Sequence, residues 1–375
     1  MATYRFDQIA KECRTTYKGN LSGIPIIGLE HIEPYNMLLK EYDTNKETTF
    51  TKSFKKGQIL FGRRRAYQHK ACVATCDGIC SGDITVIEPI EGTIYPDLLP
   101  FIVQNDDFFE HAIKGSNGAL SPRVKWEHMA SFEVNLPPLE EQKRLAEKLW
   151  AAYEVKQSYI NMIAATDEMV KSQFIEMFGE RSKLQFVKTY VDALCSSIVR
   201  GPFGSAITIS SFVPKSESTI KVYEQKNAIQ KSATIGDYYI THEHYQKLKR
   251  FECRPGDIIM SCAGTIGELY QLPEDSEKGI INQALCKFTL NDKVLDDFFL
   301  FYLKMNIQDM EKKGSGMKNV GSLTYIKSMP INLPLLRHQE EFVRIKHQAD
   351  KSKSELRKSI ESIDKVIKSL INENL

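Results

Sequence analysis

The chain has 375 residues, 42% hydrophobic and 26% charged, which is longer than one ordinary domain of roughly 100–200 residues and excludes a disordered polypeptide. Fifty basic against 48 acidic residues leave a formal charge of +2, so any affinity for nucleic acid has to come from local basic patches rather than from a global field. No run approaches ~18 uninterrupted apolar residues, and the start MATYRFDQIAKECR lacks an apolar stretch with a small-residue cleavage site, so neither a membrane span nor export is expected. The eight cysteines are then expected as reduced thiols of a cytoplasmic protein.

Residues 21–136 carry short β-branched and aromatic runs such as QILFG and DITVIEP, broken by Gly, Pro and Asn turns. They predict an α+β globule rich in short strands. Its densest basic run is Arg63-Arg64-Arg65, followed by Tyr67, His69 and Lys70. Guanidinium groups suit phosphates and planar groups suit bases, so this run is a candidate DNA-contacting surface, with a solvated charged turn as the alternative. Cys72, Cys76 and Cys80 recur every four residues near His69; that spacing does not bring thiols together in strand and turn, so no metal is expected. The loop Lys114-Gly115-Ser116-Asn117-Gly118 and Arg123 are further candidates, since Gly lets a backbone approach phosphate and Ser or Asn can hydrogen-bond to it. Asn135-Leu136-Pro137-Pro138 resembles the Asn-Pro-Pro-aromatic loop of amino-methyltransferases only superficially, because Leu136 intervenes and no aromatic follows. It reads as a strand end, a proline stop and a helix start.

Residues 139–178 contain no Pro or Gly, and Leu145, Leu149, Ala152, Tyr159, Ile163, Val170, Phe174 and Met177 form one seam, predicting a helix of ~40 residues and ~60 Å. Gly179 follows as its stop. A second α+β globule is predicted over 184–333 from KVYEQ, DIIMS and CKFTL, and Arg200, Lys215, Lys226, Asn227, Ser315 and Lys318 are its candidate DNA contacts. Residues 336–372 again lack Pro and Gly, with a seam of Phe342, Ile345, Ala349, Leu356, Ile360, Ile363, Ile367 and Leu370. The near-3.5 spacing of both seams predicts that the helices pair as a coiled coil; the alternative is that each packs on its own globule.

The two halves are copies. SFEVNLPPLEEQ (131–142) matches SMPINLPLLRHQ (328–339) at an offset of 197, KKGQIL (55–60) matches RPGDII (254–259) at 199, and DLLPFIVQN (97–105) matches DFFLFYLKM (297–305) at 200. The landmarks keep their order, as a duplication requires. The stretch matching the Arg run is SCAGTIGE (261–268), so the Arg cluster is not a framework requirement of the repeat. No GxxxxGK[ST] is present, and no catalytic or metal constellation is found.

NLPPLEEQKRLAEKL and NLPLLRHQEEFVRI, each closing a globule and opening a helix, together with GSGMKNVGSLTYIKSMPINLPL, RPGDIIMSCAGTIG, INQAL and VRGPFGSAI, make the chain similar to the DNA-specificity subunits of type I restriction-modification systems. The second copy departs from the pattern, with Leu335 for Pro and Arg337-His338 for two glutamates. The resemblance implies two target-recognition domains (1–136 and 184–333), each reading half of a bipartite asymmetric target in double-stranded DNA. It implies a central spacer helix (137–183) and a C-terminal one (334–375), paired as an antiparallel coiled coil that docks two methyltransferase subunits. Leu145, Leu149, Tyr159, Ile163, Val170, Phe342, Ile345, Leu356, Ile363 and Leu370 are the expected pairing and docking residues. No cofactor is expected in this chain; S-adenosylmethionine, Mg and ATP are expected on methyltransferase and restriction subunits. A standalone nucleotide-binding enzyme using GTIG and the KGSxG loops, and a non-DNA coiled-coil scaffold, are the other readings.

Overall fold

The computed structural model describes residues 1–118, 121–179, 181–312 and 323–375. It divides into two compact units, Met1–Ala164 with Ser354–Leu375, and Ala165–Lys353. Among the described residues no helix is long and apolar enough to cross a membrane.

The first half runs β1 (Ala2–Arg5), α1 (Phe6–Ile9), β2 (Ala10–Cys13), β3 (Ile26–Ile27), β4 (Lys52–Phe54), β5 (Ile59–Gly62), β6 (Ala71–Val73), β7 (Gly78–Cys80) and β8 (Ile84–Pro89). It continues with α2 (Leu99–Val103), α3 (Asp106–Lys114), α4 (Trp126–Ala130), β9 (Glu133–Leu136) and the long helix α5 (Leu139–Phe178). The second half runs β10 (Phe186–Tyr190), β11 (Cys195–Arg200), β12 (Thr219–Tyr223), α6 (Gln225–Ile229), β13 (Tyr239–Thr241), α7 (His242–Lys247), β14 (Glu252–Cys253) and β15 (Ile258–Ser261). Then follow β16 (Leu269–Gln271), β17 (Gly279–Ile281), β18 (Leu285–Leu290), α8 (Asp296–Lys312), α9 (Thr324–Lys327), β19 (Pro330–Pro334) and the long helix α10 (Leu336–Asn374).

Strand order establishes the duplication more firmly than residue matches do. Among the described residues, the first half holds sheets β2-β8-β5-β6, β3-β7-β4 and β1-β9, and the second holds β11-β18-β15-β16, β13-β12-β17-β14 and β10-β19. Each contains one parallel pair at the same place, β3 with β7 and β12 with β17. Strand β13 alone lacks a counterpart. Central strands read as unbroken apolar runs because both faces are covered. Ile59 and Phe61 of β5 point into the core shared with the helices, while Leu60 between them joins Ile27, Cys80 and Val86 under the three-stranded sheet. In β15, Ile258 and Met260 face the helices and Ile259 faces the other sheet, beside Tyr223 and Ile281.

In the first unit, Leu145, Leu149 and Tyr153 of α5 and Ile371 of α10 enter one core with Leu98 and Phe101, and Lys156 bonds Asp364 at 2.5 Å. In the second, Val170, Phe174 and Phe178 of α5 pack with Phe298 and Phe342, and Lys353 bonds Asp167 at 2.6 Å. Within each unit the two helix segments run antiparallel and dock on the globule as well as on each other, combining the two arrangements that the seams left open. The expected seam residues Tyr159, Ile163, Ile345, Leu356, Ile363 and Leu370 are half-buried. Tyr153, Phe178 and Ile371, buried, fall outside the seam because they meet the globules: the Tyr153 hydroxyl donates to Asn36 Oδ1 at 2.9 Å, and Phe178 packs on Phe298 of α8 as well as on Phe342 of α10.

Both long helices start by one device. Gln142 is 2% exposed and Gln339 fully buried. The Gln142 amide donates to the Pro137 carbonyl at 2.9 Å and accepts from the Tyr95 N–H at 2.9 Å. Gln339 donates to the carbonyls of Pro334 (3.0 Å) and Lys293 (3.2 Å) and accepts from the Leu295 N–H at 2.9 Å. One side chain thus ties strand end, helix start and the preceding loop, so the substitutions of Leu335, Arg337 and His338 around it leave the helix start intact. Replacing either glutamine by Ala strands buried backbone groups and is expected to destabilise its unit by about 2–4 kcal/mol. Lys143→Ala, on the exposed side of the same turn, is expected to stay within about 0.5 kcal/mol. Urea unfolding of the three variants checks both values.

Candidate nucleic-acid interface

The Arg run lies in the hairpin loop 63–70 between β5 and β6, at the end of the four-stranded sheet where β8 begins. Three backbone bonds fix it: Arg63 N to Asp83 O (2.9 Å), Val124 N to Arg63 O (2.9 Å) and Arg65 N to Pro122 O (2.8 Å). Asn117 and Arg123 exchange backbone bonds at 3.0 Å and close their own loop beside it. Arg63, Arg64, Arg65, Asn117 and Arg123 are therefore neighbours across ~60 residues of sequence. Tyr67, at the loop's apex, is 53% exposed.

A single carboxylate organises these cations. Asp83 accepts from Arg123 Nε at 2.7 Å and Nη2 at 3.3 Å, and Arg64 Nη1 lies 3.5 Å from it. The Arg123 bond is the main cause holding the Asp83 carboxyl below its usual range, although partial burial works against it. The lowered pKa favours the ionised carboxylate, the form that holds both arginines. Arg64 Nε also donates to Ser121 Oγ at 2.5 Å. Arg63 lines a cleft of about 890 Å³ whose wall carries Arg14, Lys52, Lys125 and Trp126. Arg14, Lys125, Trp126 and Asp83 escaped the sequence reading because three separate loops bring them together. Lys114, at the end of α3, is exposed, with Glu110 3.9 Å away. Ser116 turns inward and donates to the Ala112 carbonyl at 3.0 Å.

The equivalent end of the second globule is built from different side chains. Arg200 pairs with Cys286, and Ser261 with Leu285, so the loop after β11, the hairpin loop 262–268 and the turn 282–284 meet at one sheet end. The Gln225 side chain braces the hairpin by donating to the carbonyls of Ala263 and Thr265. GTIG (264–267) is thus a hairpin tip between two antiparallel strands, and it offers no helix N-terminus to a nucleotide phosphate. Lys226 lies beside Gln225, paired with Glu224 at 2.7 Å and 5.3 Å from the Tyr238 ring. One expectation needs correction. Asn227 is fully buried; its amide accepts from Glu224 N and donates to the carbonyls of Ser232 and Ile235, which makes it an internal staple and not a DNA contact. Lys215 is exposed and bonds Glu277, just before β17, at 2.8 Å. Ser315 and Lys318 lie outside the described residues.

Cys72 and Cys80 are buried in the sheet-to-sheet core, where burial pushes both thiols up to about 12. They are protonated packing groups.

The sequence profile of the type I restriction modification DNA specificity domain matches residues 10–161 and again 207–364. The chain belongs to that family. It is 28% identical over 183 residues to the type I restriction enzyme EcoDI specificity subunit of Escherichia coli, covering 46% of this chain and 40% of that one. It is 23% identical over 332 residues to the putative type I restriction enzyme MjaX specificity subunit of Methanocaldococcus jannaschii, covering 84% and 77%. The match to the first relative thus spans about two fifths of that protein's length. Among solved structures, a chain of a type I R-M system studied for complex assembly and conformational transition aligns with a TM-score of 0.61 at 16% identity, over 100% of this chain and 97% of that one. The type I restriction-modification S subunit from M. genitalium aligns at 0.53 and 12% identity, over 99% and 94%. Both show the same fold for this member of the specificity family.

Two single substitutions at the first loop are expected to act in opposite directions. Arg63→Ala should make duplex binding less salt-dependent by about 0.9 in log–log slope if Arg63 meets one phosphate, and Asp83→Asn should steepen the slope by releasing Arg64 and Arg123. Titrations at several salt concentrations check this; equal slopes in folded variants return the loop to a solvated surface. The triple change Arg63, Arg64 and Arg65 to Ala would also remove the Ser121 and Asp83 bonds, so it tests binding less cleanly.

Proposed function

We propose that this chain is the non-catalytic specificity subunit of a type I restriction-modification complex. Each globule reads one half of a bipartite, asymmetric DNA target with the loops at the β8 or β18 end of its four-stranded sheet. The observation that carries the reading is that two superposable strand orders present unlike loops at that same end. One is arginine-rich around Asp83; the other is Gly-, Thr- and Gln-rich around Asn282 and Gln283. Framework kept and tips changed is what two different half-sites require, since phosphate contacts position a protein while base edges specify sequence.

The long helices supply the docking face for two methyltransferase subunits. Val155 and Ile160 in the first unit and Met169 and Ile175 in the second are large apolar residues exposed on α5, as a helix that docks partner chains presents. S-adenosylmethionine belongs to those methyltransferase subunits, and ATP and Mg to restriction subunits where these join. A cytoplasmic location follows from genomic DNA as the target.

Purified alone with duplex DNA and labelled S-adenosylmethionine, the chain is expected to transfer no label; transfer at enzyme-like rates would sink the proposal. With its methyltransferase chain it should methylate adenines in a two-part motif. Exchanging residues 184–333 for those of a relative should change one half of that motif and keep the other, as read by sequencing methylated adenines. Changes in both halves by a folded hybrid would contradict independent reading.

A further inference from the structure

Phe203 is 89% exposed, yet the segment carrying it is tightly held. Gly201 N donates to the Leu285 carbonyl at 2.9 Å, and a Cβ at Gly201 would lie 1.8 Å from the Asn282 carbonyl oxygen. Pro202 is buried, and a Cβ at Gly204 would lie 2.3 Å from Gln283 Oε1. The Phe203 carbonyl accepts from Ala206 N at 2.8 Å, and the Ala206 carbonyl meets a His244 ring nitrogen at 2.9 Å. Ala206, Ile207 and Phe212 then pack on the core of Val222, Ile240 and Tyr245, with the Phe212 ring stacked 4.0 Å from Tyr238. Pro202, Ala206, Ile207 and Phe212 anchor the segment, while Phe203, and further on Ile209 at 88%, are turned outward. It sits three residues past Arg200, at the sheet end assigned above to DNA. By strand register Arg14 matches Arg200, so the matching place in the first globule is Tyr17, which is half-buried and donates its hydroxyl to the Asn20 carbonyl at 3.0 Å.

Resting on that DNA-reading role, we propose that Phe203 is a base-contacting residue of the second half-site, an apolar wedge set against base edges or into a base step. A phenyl ring carries no charge and no hydrogen-bonding group, so phosphate offers it nothing. Thymine methyl groups and exposed base faces do. Gly201 and Gly204 let the backbone lie flat against the 282–283 turn, which fixes the direction in which the ring projects.

The test uses the complex with the methyltransferase chain and a random-sequence duplex library, from which the wild type selects its two-part motif. Phe203→Ala is expected to lower affinity for the selected duplex by about tenfold or more and to degrade one half of the motif. The salt slope, the other half-site and the thermal midpoint should be unchanged, and Phe203→Tyr should retain most of the affinity. Selection of the intact motif with undiminished affinity by Phe203→Ala would overturn the proposal. So would a loss of affinity accompanied by a shallower salt slope, which would mark a backbone contact. If the wild type selects no motif at all, it is the DNA-reading function that fails, and this inference falls with it.

Discussion

The structure turns on a buried amide. A helix of 40 residues can leave a strand in a fixed direction only if its first turn is locked, because the first four N–H groups and the chain before them have no partners within the helix. Gln142 and Gln339 supply that lock from inside the helix, reaching back to the carbonyl of the proline that ends the strand and sideways to the backbone N–H of Tyr95 or Leu295. A cap at the surface would hold the helix start alone. A fully enclosed side chain with both polar ends satisfied holds strand, loop and helix in one geometry, and misplacing any of the three leaves a buried group unpaired. Glutamates at 140 and 141 suit the positive helix end and arginine and histidine at 337 and 338 do not, yet both helices begin alike. The dipole is a correction here, and the amide decides.

With helix and sheet fixed by buried contacts, the loops at one sheet end carry little of the fold and are free to diverge. The two globules show how far that divergence goes. In the first, charge is gathered and then tempered: Asp83 lies against two arginines, orients both and leaves a net positive surface. In the second, backbone is brought close by glycine, side-chain amides from Gln225 and Gln283 flank it, and one aromatic ring is held outward. Salt-dependent affinity is expected chiefly from the first surface, and contacts insensitive to salt from the second.

What the sequence made legible follows from how local the signal is. Freedom from proline and glycine together with three-four apolar spacing placed the long helices at 139–178 and 336–372, against Leu139–Phe178 and Leu336–Asn374, because those signals act within a turn or two of chain. Repeat offsets found the duplication for the same reason. The site was only half legible. The Arg run was visible as composition, but Asp83 lies about twenty residues on and Arg123 sixty; the pairing of β5 with β8 brings in the first, and the backbone bonds of Arg63 and Arg65 with Val124 and Pro122 bring in the second. Asn227 was misread since it stands next to Lys226 in sequence; a short polar residue beside a lysine looks like a contact until the turn closes around it. Strands as short as Ile26–Ile27 and Glu252–Cys253 carry no period and exist through their neighbours in the sheet.

The paired hairpins show what the first loop gives up to carry its arginines. Three residues past the strand the second globule has Gly264, and two residues before the next strand it has Gly267, at φ +61° and +83°. The first globule has Arg65 and His69 at those places, at φ 55° and 51°. Both hairpins need the left-handed region at the same two points, so the requirement belongs to the turn and not to the residue. Glycine meets it at no steric cost, whereas Arg and His pay of order 1 kcal/mol each. At 69 the cost is offset by contacts that glycine could not make, since the His69 ring stacks on Tyr35 at 4.9 Å and lies against Phe109 at 4.5 Å. Glycine would have made the turn more easily, so side chains at 65 and 69 are kept in spite of the backbone. His69 accounts for itself through its stacking. Arg65 differs: it is half-buried, with its Nε enclosed and without a hydrogen-bond partner among the described residues, so its strained backbone is not offset by a bond at that atom.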